Sequence, residues 1–161
     1  IKNTCNAIYC GTFDASIANG KGIPSMIRNY FEQFASLRPV KLLPGVESAI
    51  AGKTHKDIDF TIIRENTEDF YIGAGGRAKS GKTRQKIDVE KCRARIGIDV
   101  EAKGELAYQI GVLSKKGCER IAKFAFDYAK RKNKRIAAVD KANVMDLYNL
   151  WRETFEKTAK E

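Results

Sequence analysis

The chain has 161 residues, of which 43% are hydrophobic and 31% charged, and its formal net charge at pH 7 is +10. These proportions are typical of one globular domain with a sizeable core, and no apolar run reaches the length of a membrane span. The four cysteines form no close pair of the kind that binds zinc. Reduced thiols in a cytoplasmic protein are therefore the expectation.

The excess of Lys and Arg is the most unusual feature of the composition. Such charge supplies affinity for phosphates without regard to sequence, but the aromatic residues are not interleaved with the basic runs, as they are on a surface that stacks bases. We therefore expect neither nucleic acid nor a membrane as a partner, and a nucleic-acid binder is the weakest alternative. A polyanionic small substrate or a solvated basic surface explains the charge as well.

The N-terminal part of the chain predicts two strands around a helix. Residues 5–10 have the composition of a short strand. Between residues 23 and 34 apolar side chains recur at helical spacing, and Pro24 suits the first turn of that helix. Residues 38–43 predict a second strand, which the Pro-Gly pair at 44–45 ends.

A dense polar cluster follows the apolar run at 60–63, which predicts a buried strand. The cluster reads Arg64-Glu65-Asn66-Thr67-Glu68-Asp69 and is followed by Phe70-Tyr71. Side chains that leave the carboxyl end of a buried strand commonly form binding sites in α/β proteins. Arg64 offers a planar fork of donors that matches a carboxylate, and Tyr71 adds a proton donor. On composition alone, an acidic, solvated strand-to-helix turn explains the cluster equally well.

The C-terminal half predicts an arm, then a pattern of strand, helix, strand and helix. Residues 73–84 are Gly-rich and basic and indicate a flexible arm, and residues 106–113 predict a strand. Ser114 is a suitable N-cap for the best-defined helix, whose buried stripe we expect at Ile121, Phe124, Ala125 and Tyr128. Residues 136–139 predict a buried strand, and a last helix should carry on one face Val144, Leu147, Trp151 and Phe155.

Three motifs together resemble the signature of one enzyme family. The run Arg-Glu-Asn-Thr-Glu-Asp-x-Tyr at 64–71 is similar to that of the isocitrate and 3-isopropylmalate dehydrogenases, which are metal-dependent β-decarboxylating 2-hydroxyacid dehydrogenases. Leu-Arg-Pro-Val-Lys at 37–41 and Val-Asp-Lys-Ala-Asn-Val at 139–144 agree with it in order and spacing. The resemblance implies an α/β fold in which residues 1–161 form a single segment, the small domain with edges of the large domain. Residues 73–112 would form a projecting dimerisation clasp.

The same resemblance implies a substrate site. Arg28, Arg38 and Arg64 would grip the carboxylates of a hydroxy di- or tricarboxylate, which requires guanidinium forks in fixed positions. Tyr71 would deliver a proton to the product.

The catalytic base would come from a second subunit. Lys141 would take the hydroxyl proton across the interface of a homodimer joined by the clasp, and Asn143 would lie near the substrate or the nicotinamide. The implied reaction is oxidation of a 2-hydroxy-3-carboxy acid by NAD or NADP, followed by loss of CO₂. The choice between isocitrate and 3-isopropylmalate, and between NAD and NADP, stays open.

One requirement of the family is not met by these residues. The reaction uses Mg²⁺ or Mn²⁺ as an electron sink, and this chain has no Asp pair spaced to chelate such an ion, so we assign no metal ligand within it. We expect a portion of a longer enzyme that is inactive in isolation. The alternative is a non-catalytic dimerisation or regulatory binding module derived from the family.

Overall fold

The computed structural model describes residues 4–11, 23–89, 92 and 94–161, and it shows a mixed α/β fold, as predicted. The helices are α1 (Ile23–Tyr30), α2 (Lys115–Lys132) and α3 (Leu147–Thr158), with a short 3₁₀ turn at Phe70–Ile72. The strands are β1 (Ala35–Lys41), β2 (Asp59–Glu65), β3 (Gly75–Ala78), β4 (Gly81–Val89), β5 (Ala94–Ala102) and β6 (Leu106–Gln109).

The described strands form three antiparallel pairs, β1–β2, β3–β6 and β4–β5. In the first pair Arg38 lies opposite Ile62 and Ser36 lies opposite Arg64. Because opposite residues share a face and side chains alternate along a strand, all four side chains lie on the same face of β1–β2. This register places two of the candidate arginines on one surface.

Helix α2 covers the other face of β1–β2 and forms the centre of the core. Its buried residues are Gly117, Cys118, Ile121, Ala122 and Ala125. The Tyr128 hydroxyl lies 3.5 Å from the Thr61 hydroxyl on β2, and the Phe124 ring contacts Phe34 at 5.9 Å between centroids. Helix α3 packs on α2 through aromatic rings, with 4.9 Å between Phe126 and Phe155.

The limits of α2 follow the expected rules. The Ser114 side chain accepts a hydrogen bond from the Gly117 N–H, which confirms the predicted N-cap. The last turn carries Lys130, Arg131 and Lys132, and Asn133 ends the helix in the left-handed conformation. Part of the basic charge of the chain therefore complements the negative pole of this helix.

The β4–β5 ribbon has one charged face and one apolar face. On the charged face, ion pairs join Lys82 to Glu101, Arg84 to Asp99 and Arg95 to Asp88. The half-buried side chains of the opposite face include Ile87, Ile96, Ile98 and Val100. The segment 73–84, predicted as an arm, thus contains all of β3 and the start of β4.

Two predicted strands are wrong. Residues 5–10 have no strand conformation and are exposed, and residues 136–139 are also outside any strand, with Val139 88% exposed. A strand needs a neighbour to bond its N–H and C=O groups, and neither segment pairs with a strand among the described residues.

Several predicted boundaries also move. The helix from residue 23 ends at Tyr30, just before Glu32 with its positive φ of 51°, so Phe34 lies outside it. Strand β1 begins three residues before the predicted 38, and β6 ends at 109. Val144 precedes α3 and is 71% exposed, so it does not belong to the apolar face of that helix. In the described residues, no helix combines the length and the apolar character that a membrane crossing requires.

Candidate functional site

The loop at 64–71 is divided between two directions, and Glu65 and Glu68 face α2. Glu68 is 2% exposed and lies at the N-terminus of α2. It accepts hydrogen bonds from the Ser114 hydroxyl at 2.7 Å and from the Ser114 N–H at 2.8 Å. Gly117 leaves room for this carboxylate, because a Cβ there would stand 2.3 Å from Glu68 Oε2. A helix N-terminus favours negative charge, so Glu68 ties the loop to α2.

Glu65 closes the same loop on itself. Its Oε2 accepts the N–H groups of Thr67 and Glu68 at 2.6 Å each, and its Oε1 accepts from the Thr67 hydroxyl at 2.8 Å and from Arg120 Nη2 at 2.7 Å. Asn66, Thr67 and Glu68 are 9%, 5% and 2% exposed. The reading of this cluster as a solvated turn is therefore wrong.

Arg64 and Tyr71 face the opposite way and contact each other. Arg64 Nη1 donates to the Tyr71 oxygen at 2.6 Å, with the guanidinium carbon 4.6 Å from the centre of the tyrosine ring. Because a guanidinium can only donate, the Tyr71 oxygen is the acceptor and its own hydrogen remains available for a ligand. Arg64 Nε is buried and has no hydrogen-bond partner among the described residues.

Asn66 fixes the orientation of Arg64. Its Oδ1 accepts from Arg64 Nη2 at 3.0 Å, and its Nδ2 donates to the Gln33 carbonyl at 3.2 Å. The Asn66 N–H donates to the carbonyl of Phe34 at 2.8 Å. The turn between α1 and β1 therefore supports the guanidinium through one buried amide.

A cavity of about 350 Å³ adjoins the Arg64–Tyr71 pair. Its apolar wall includes Ile63, Leu113, Ile121, Val139 and Trp151, and its other polar residues are Glu65, Asp69, Asp140 and Tyr148. An apolar cavity of this volume with a few convergent polar groups is typical of a small-molecule site.

The other candidate arginines do not line this cavity. Arg38 is exposed on β1, on the same face as Arg64. Arg28, in the last turn of α1, lines a separate cavity of about 480 Å³ together with Asn66 and Ser36. The structure therefore brings Arg64 and Tyr71 together, places Arg38 on their face and separates Arg28 from them by Asn66.

Lys141 and Asn143 lie on an exposed turn beyond the cavity. The Lys141 carbonyl accepts the N–H groups of Val144 at 3.0 Å and Met145 at 2.9 Å, and the side chains of Lys141 and Asn143 are exposed. Asp140, which precedes them, does line the cavity. Within this chain, Lys141 and Tyr71 therefore do not share a site.

Asp140 is a site residue that the sequence reasoning missed. Its carboxylate accepts from Arg152 Nη2 at 2.7 Å and Nε at 3.1 Å, and from the Ala142 N–H at 3.0 Å. These hydrogen bonds, with that of Arg152 first, hold the pKa of Asp140 below its usual value. Its position beside Lys141 in the third motif was the available signal.

Asp69 and Tyr148 form a second pair that was missed. The Tyr148 hydroxyl donates to Asp69 Oδ2 at 2.7 Å, and burial, followed by the charge and hydrogen bond of Asp69, raises the pKa of Tyr148 to about 12. The two residues lie 79 positions apart, so no local pattern could have connected them.

The described ranges offer no metal site, since no group of three or more His, Cys, Asp or Glu residues in them is arranged to hold an ion. The one fully buried thiol of this region, Cys118, is a poor ligand and nucleophile, because burial, and then the charge of Glu68, raises its pKa to about 12.

Comparison with known proteins gives a consistent result. A family model described as isocitrate/isopropylmalate dehydrogenase matches residues 7–161. The 3-isopropylmalate dehydrogenase of Clavibacter michiganensis is 34% identical over 153 residues, which cover 92% of this chain and 37% of that protein. The D-malate dehydrogenase (decarboxylating) of Escherichia coli is 34% identical over 134 residues, covering 82% and 32%.

A solved structure agrees with these relatives. The isocitrate dehydrogenase from Methylococcus capsulatus superposes with a TM-score of 0.62 at 26% identity, over 97% of this chain and 37% of that one. The chain thus spans between 32% and 37% of the length of these three proteins.

Proposed function

The chain belongs to the isocitrate/isopropylmalate dehydrogenase family, and we propose that it forms part of an enzyme that oxidises a 2-hydroxy-3-carboxy acid with NAD or NADP and releases CO₂. The observation that carries this proposal is the Arg64–Tyr71 pair, a fixed cation and a proton donor at one cavity. Named relatives that act on 3-isopropylmalate and D-malate support the substrate class.

Arg64 binds a carboxylate of the substrate. Its Nε has no partner in the described residues, and its two terminal nitrogens are already oriented by Tyr71 and Asn66. A guanidinium held in this way loses little freedom when a carboxylate arrives. Arg38 lies on the same face, and Arg28 lies beyond Asn66. Both would bind further carboxylate oxygens after their side chains move toward a bound ligand.

Tyr71 delivers a proton to the carbon that loses CO₂. The hydrogen bond from Arg64 occupies a lone pair of the Tyr71 oxygen and leaves its hydrogen to be donated. The neighbouring guanidinium also stabilises the negative charge that appears on the oxygen when the proton leaves.

Lys141 takes the proton of the substrate hydroxyl in the site of a second protomer. Its side chain is exposed and lies outside the cavity of its own chain, which suits a residue that acts across an interface. The β4–β5 ribbon would join the two protomers through the face that carries Ile87, Ile96, Ile98 and Val100. The resulting assembly would be a homodimer in which each active site contains residues of both protomers.

The cofactors must be held mainly by residues beyond those described. NAD or NADP would accept the hydride, and Asn143, which is exposed, would lie near its nicotinamide. The described residues do not fit a divalent cation. We therefore derive no step through Mg²⁺ or Mn²⁺ and expect its ligands outside this chain. The thiols of Cys5, Cys10, Cys92 and Cys118 are free. The proposal includes a cytoplasmic location, where thiols stay reduced.

A second candidate is a non-catalytic dimerisation or regulatory binding module derived from the family. The organised β4–β5 ribbon and the lack of a metal site in the described ranges favour it. NAD(P)H formation by a complex that contains this chain, with Mg²⁺ and a 2-hydroxy-3-carboxy acid, would exclude the module. The first proposal expects turnover there and none from the isolated chain.

Calorimetric titration of the chain with 3-isopropylmalate, isocitrate and D-malate tests the site itself. We expect at least one acid to bind, and Arg64→Gln to weaken that binding about tenfold or more, as expected for loss of a charged hydrogen bond. Arg77→Gln is the matched control, since Arg77 is a highly exposed arginine of β3 that is paired with Glu105 and does not line the cavity. Equal affinity of the two variants would contradict the assignment of Arg64.

A further inference from the structure

Asp69 is held in a costly conformation. Its backbone angles are φ 60° and ψ −138°, a region that only glycine adopts freely. One carboxylate oxygen, Oδ1, is buried without a hydrogen-bond partner in the described part of the chain. A residue that combines a strained backbone with an unsatisfied buried oxygen persists only when its surroundings impose it.

The surroundings of Asp69 hold it on three sides. Its N–H donates to the Val112 carbonyl at 2.8 Å, and the Val112 N–H donates back at 3.4 Å. Gly111 leaves room for the carboxylate, since a Cβ there would stand 2.9 Å from Asp69 Oδ1. The third contact is the hydrogen bond from the Tyr148 hydroxyl at 2.7 Å. The strain therefore places a carboxylate where Tyr148 can reach it.

Tyr148 belongs to the part of the chain that carries Lys141. We define residues 140–148 as the Lys141 segment. Arg152 binds Asp140 at the start of this segment, and the Lys141 carbonyl accepts two N–H groups within it. These hydrogen bonds hold the segment together. Tyr148, at its end, joins it to the loop that carries Arg64 and Tyr71.

We propose that the hydrogen bond from Tyr148 to Asp69 is a latch that holds the Lys141 segment against the Arg64–Tyr71 loop, with Asp69 and Tyr148 as positioning residues. The functional meaning of the latch rests on the proposed function, because Lys141 and Tyr71 are the residues whose placement matters for catalysis. In a homodimer with shared sites, the latch links the loop of one site to the lysine that the same protomer lends to the other site.

Hydrogen exchange of the ligand-free chain tests the latch. In Tyr148→Phe, the N–H groups of residues 142, 144 and 145, which are hydrogen-bonded in the segment, should exchange about tenfold faster, as loss of a bond to a charged group predicts. Tyr128→Phe is the control, since Tyr128 also has a hydroxyl contact, at 3.5 Å to Thr61. It should leave these rates unchanged. Unchanged rates in Tyr148→Phe would overturn the latch.

Two substitutions of Asp69 separate positioning from general stability. Asp69→Asn keeps an acceptor for Tyr148 and should keep the slow exchange. Asp69→Gly relieves the backbone strain but removes the acceptor, so it should reproduce the fast exchange of Tyr148→Phe even if the free energy of unfolding of the whole chain rises. Slow exchange in Asp69→Gly would show that the carboxylate does not hold the segment.

The outcome is independent of the proposed function, because no ligand is present. If the exchange pattern appears while none of the three acids binds, the latch stands and the carboxylate site is refuted. If an acid binds but the rates do not respond to Tyr148→Phe, the site stands and the latch is refuted.

Discussion

The two sides of the loop at 64–71 differ in how far their hydrogen-bonding capacity is used. On the inner side, Glu65 and Glu68 accept six hydrogen bonds from the loop, Ser114 and Arg120. On the outer side, Arg64 retains a buried donor without a partner in the described residues, and Tyr71 retains its hydrogen. The filled carboxylates hold the loop on α2, whereas Arg64 and Tyr71 line the cavity, where the free hydrogen of Tyr71 can be donated to a ligand.

The difference arises from the geometry of β2. Arg64 and Glu65 are the last two residues of that strand, and successive side chains of a strand point to opposite faces. One face is covered by α2 and contributes Ile63 and Glu65 to the cavity, whereas Arg64 lies on the other face and also lines it. A single run of polar residues thus supplies both the support and the binding group.

Removal of the Glu68 carboxylate should have the largest effect on the free energy of unfolding. Glu68→Ala leaves the Ser114 N–H and hydroxyl without their partner in a buried place, so we expect the free energy of unfolding to fall by about 3 kcal/mol. Urea denaturation measures this value. Glu68→Gln, which keeps one acceptor and the volume, should lose less. Equal losses would show that neither the volume nor a single neutral acceptor stabilises this position, and that the charged carboxylate is required.

A methyl group at Gly117 should be almost as harmful. Ala normally stabilises a helix relative to Gly by about 1 kcal/mol, but here its Cβ would meet the Glu68 carboxylate at 2.3–2.4 Å, and overpacking of this kind costs about 1–3 kcal/mol. We expect Gly117→Ala to lower the free energy of unfolding. Gly97→Ala, where nothing lies within 4 Å of the new Cβ, should not. When Glu68 is already replaced by Ala, the additional Gly117→Ala substitution should no longer lower the free energy of unfolding.

Alkaline pH should weaken the Tyr148–Asp69 contact, and this should lower the free energy of unfolding by less than either substitution above. The pKa of Tyr148 is raised from 10.0 to about 12 in the folded chain, so folding favours the neutral phenol. Its contribution to stability is therefore complete below pH 10 and is lost as the pH rises toward about 12. The difference in free energy of unfolding between the chain and Tyr148→Phe should shrink across this window. A constant difference would contradict the folded-state hydrogen bond.

The sequence was sufficient where local rules decide the structure. Ser114 as the N-cap of α2 and the basic last turn of that helix follow from helix chemistry and are confirmed. The sequence could not predict that the 64–71 cluster has an inner and an outer side, because the burial of Glu68 depends on Ser114, which lies 46 positions away. The strand expected at 136–139 failed for a related reason, since a strand is made by its neighbour and none of the described strands pairs with it.

For the same reason, the sequence predicted only part of the candidate site. Arg64 and Tyr71 lie on one loop, so a short motif was enough to connect them. Asp69 and Tyr148 meet only after the chain has folded, and Arg28 lies beyond Asn66 through the packing of α1.

The most direct test compares two residues of this loop, Arg64, which lines the cavity, and Glu68, which does not. For Arg64→Gln and Glu68→Gln, both the free energy of unfolding and the dissociation constant for the tightest of the three acids are measured on the same chain. We predict that Arg64→Gln weakens binding about tenfold with little loss of stability, and that Glu68→Gln lowers stability by about 1–2 kcal/mol with little change in binding. If both variants lose binding and stability in the same proportion, the loop does not have separate supporting and binding sides.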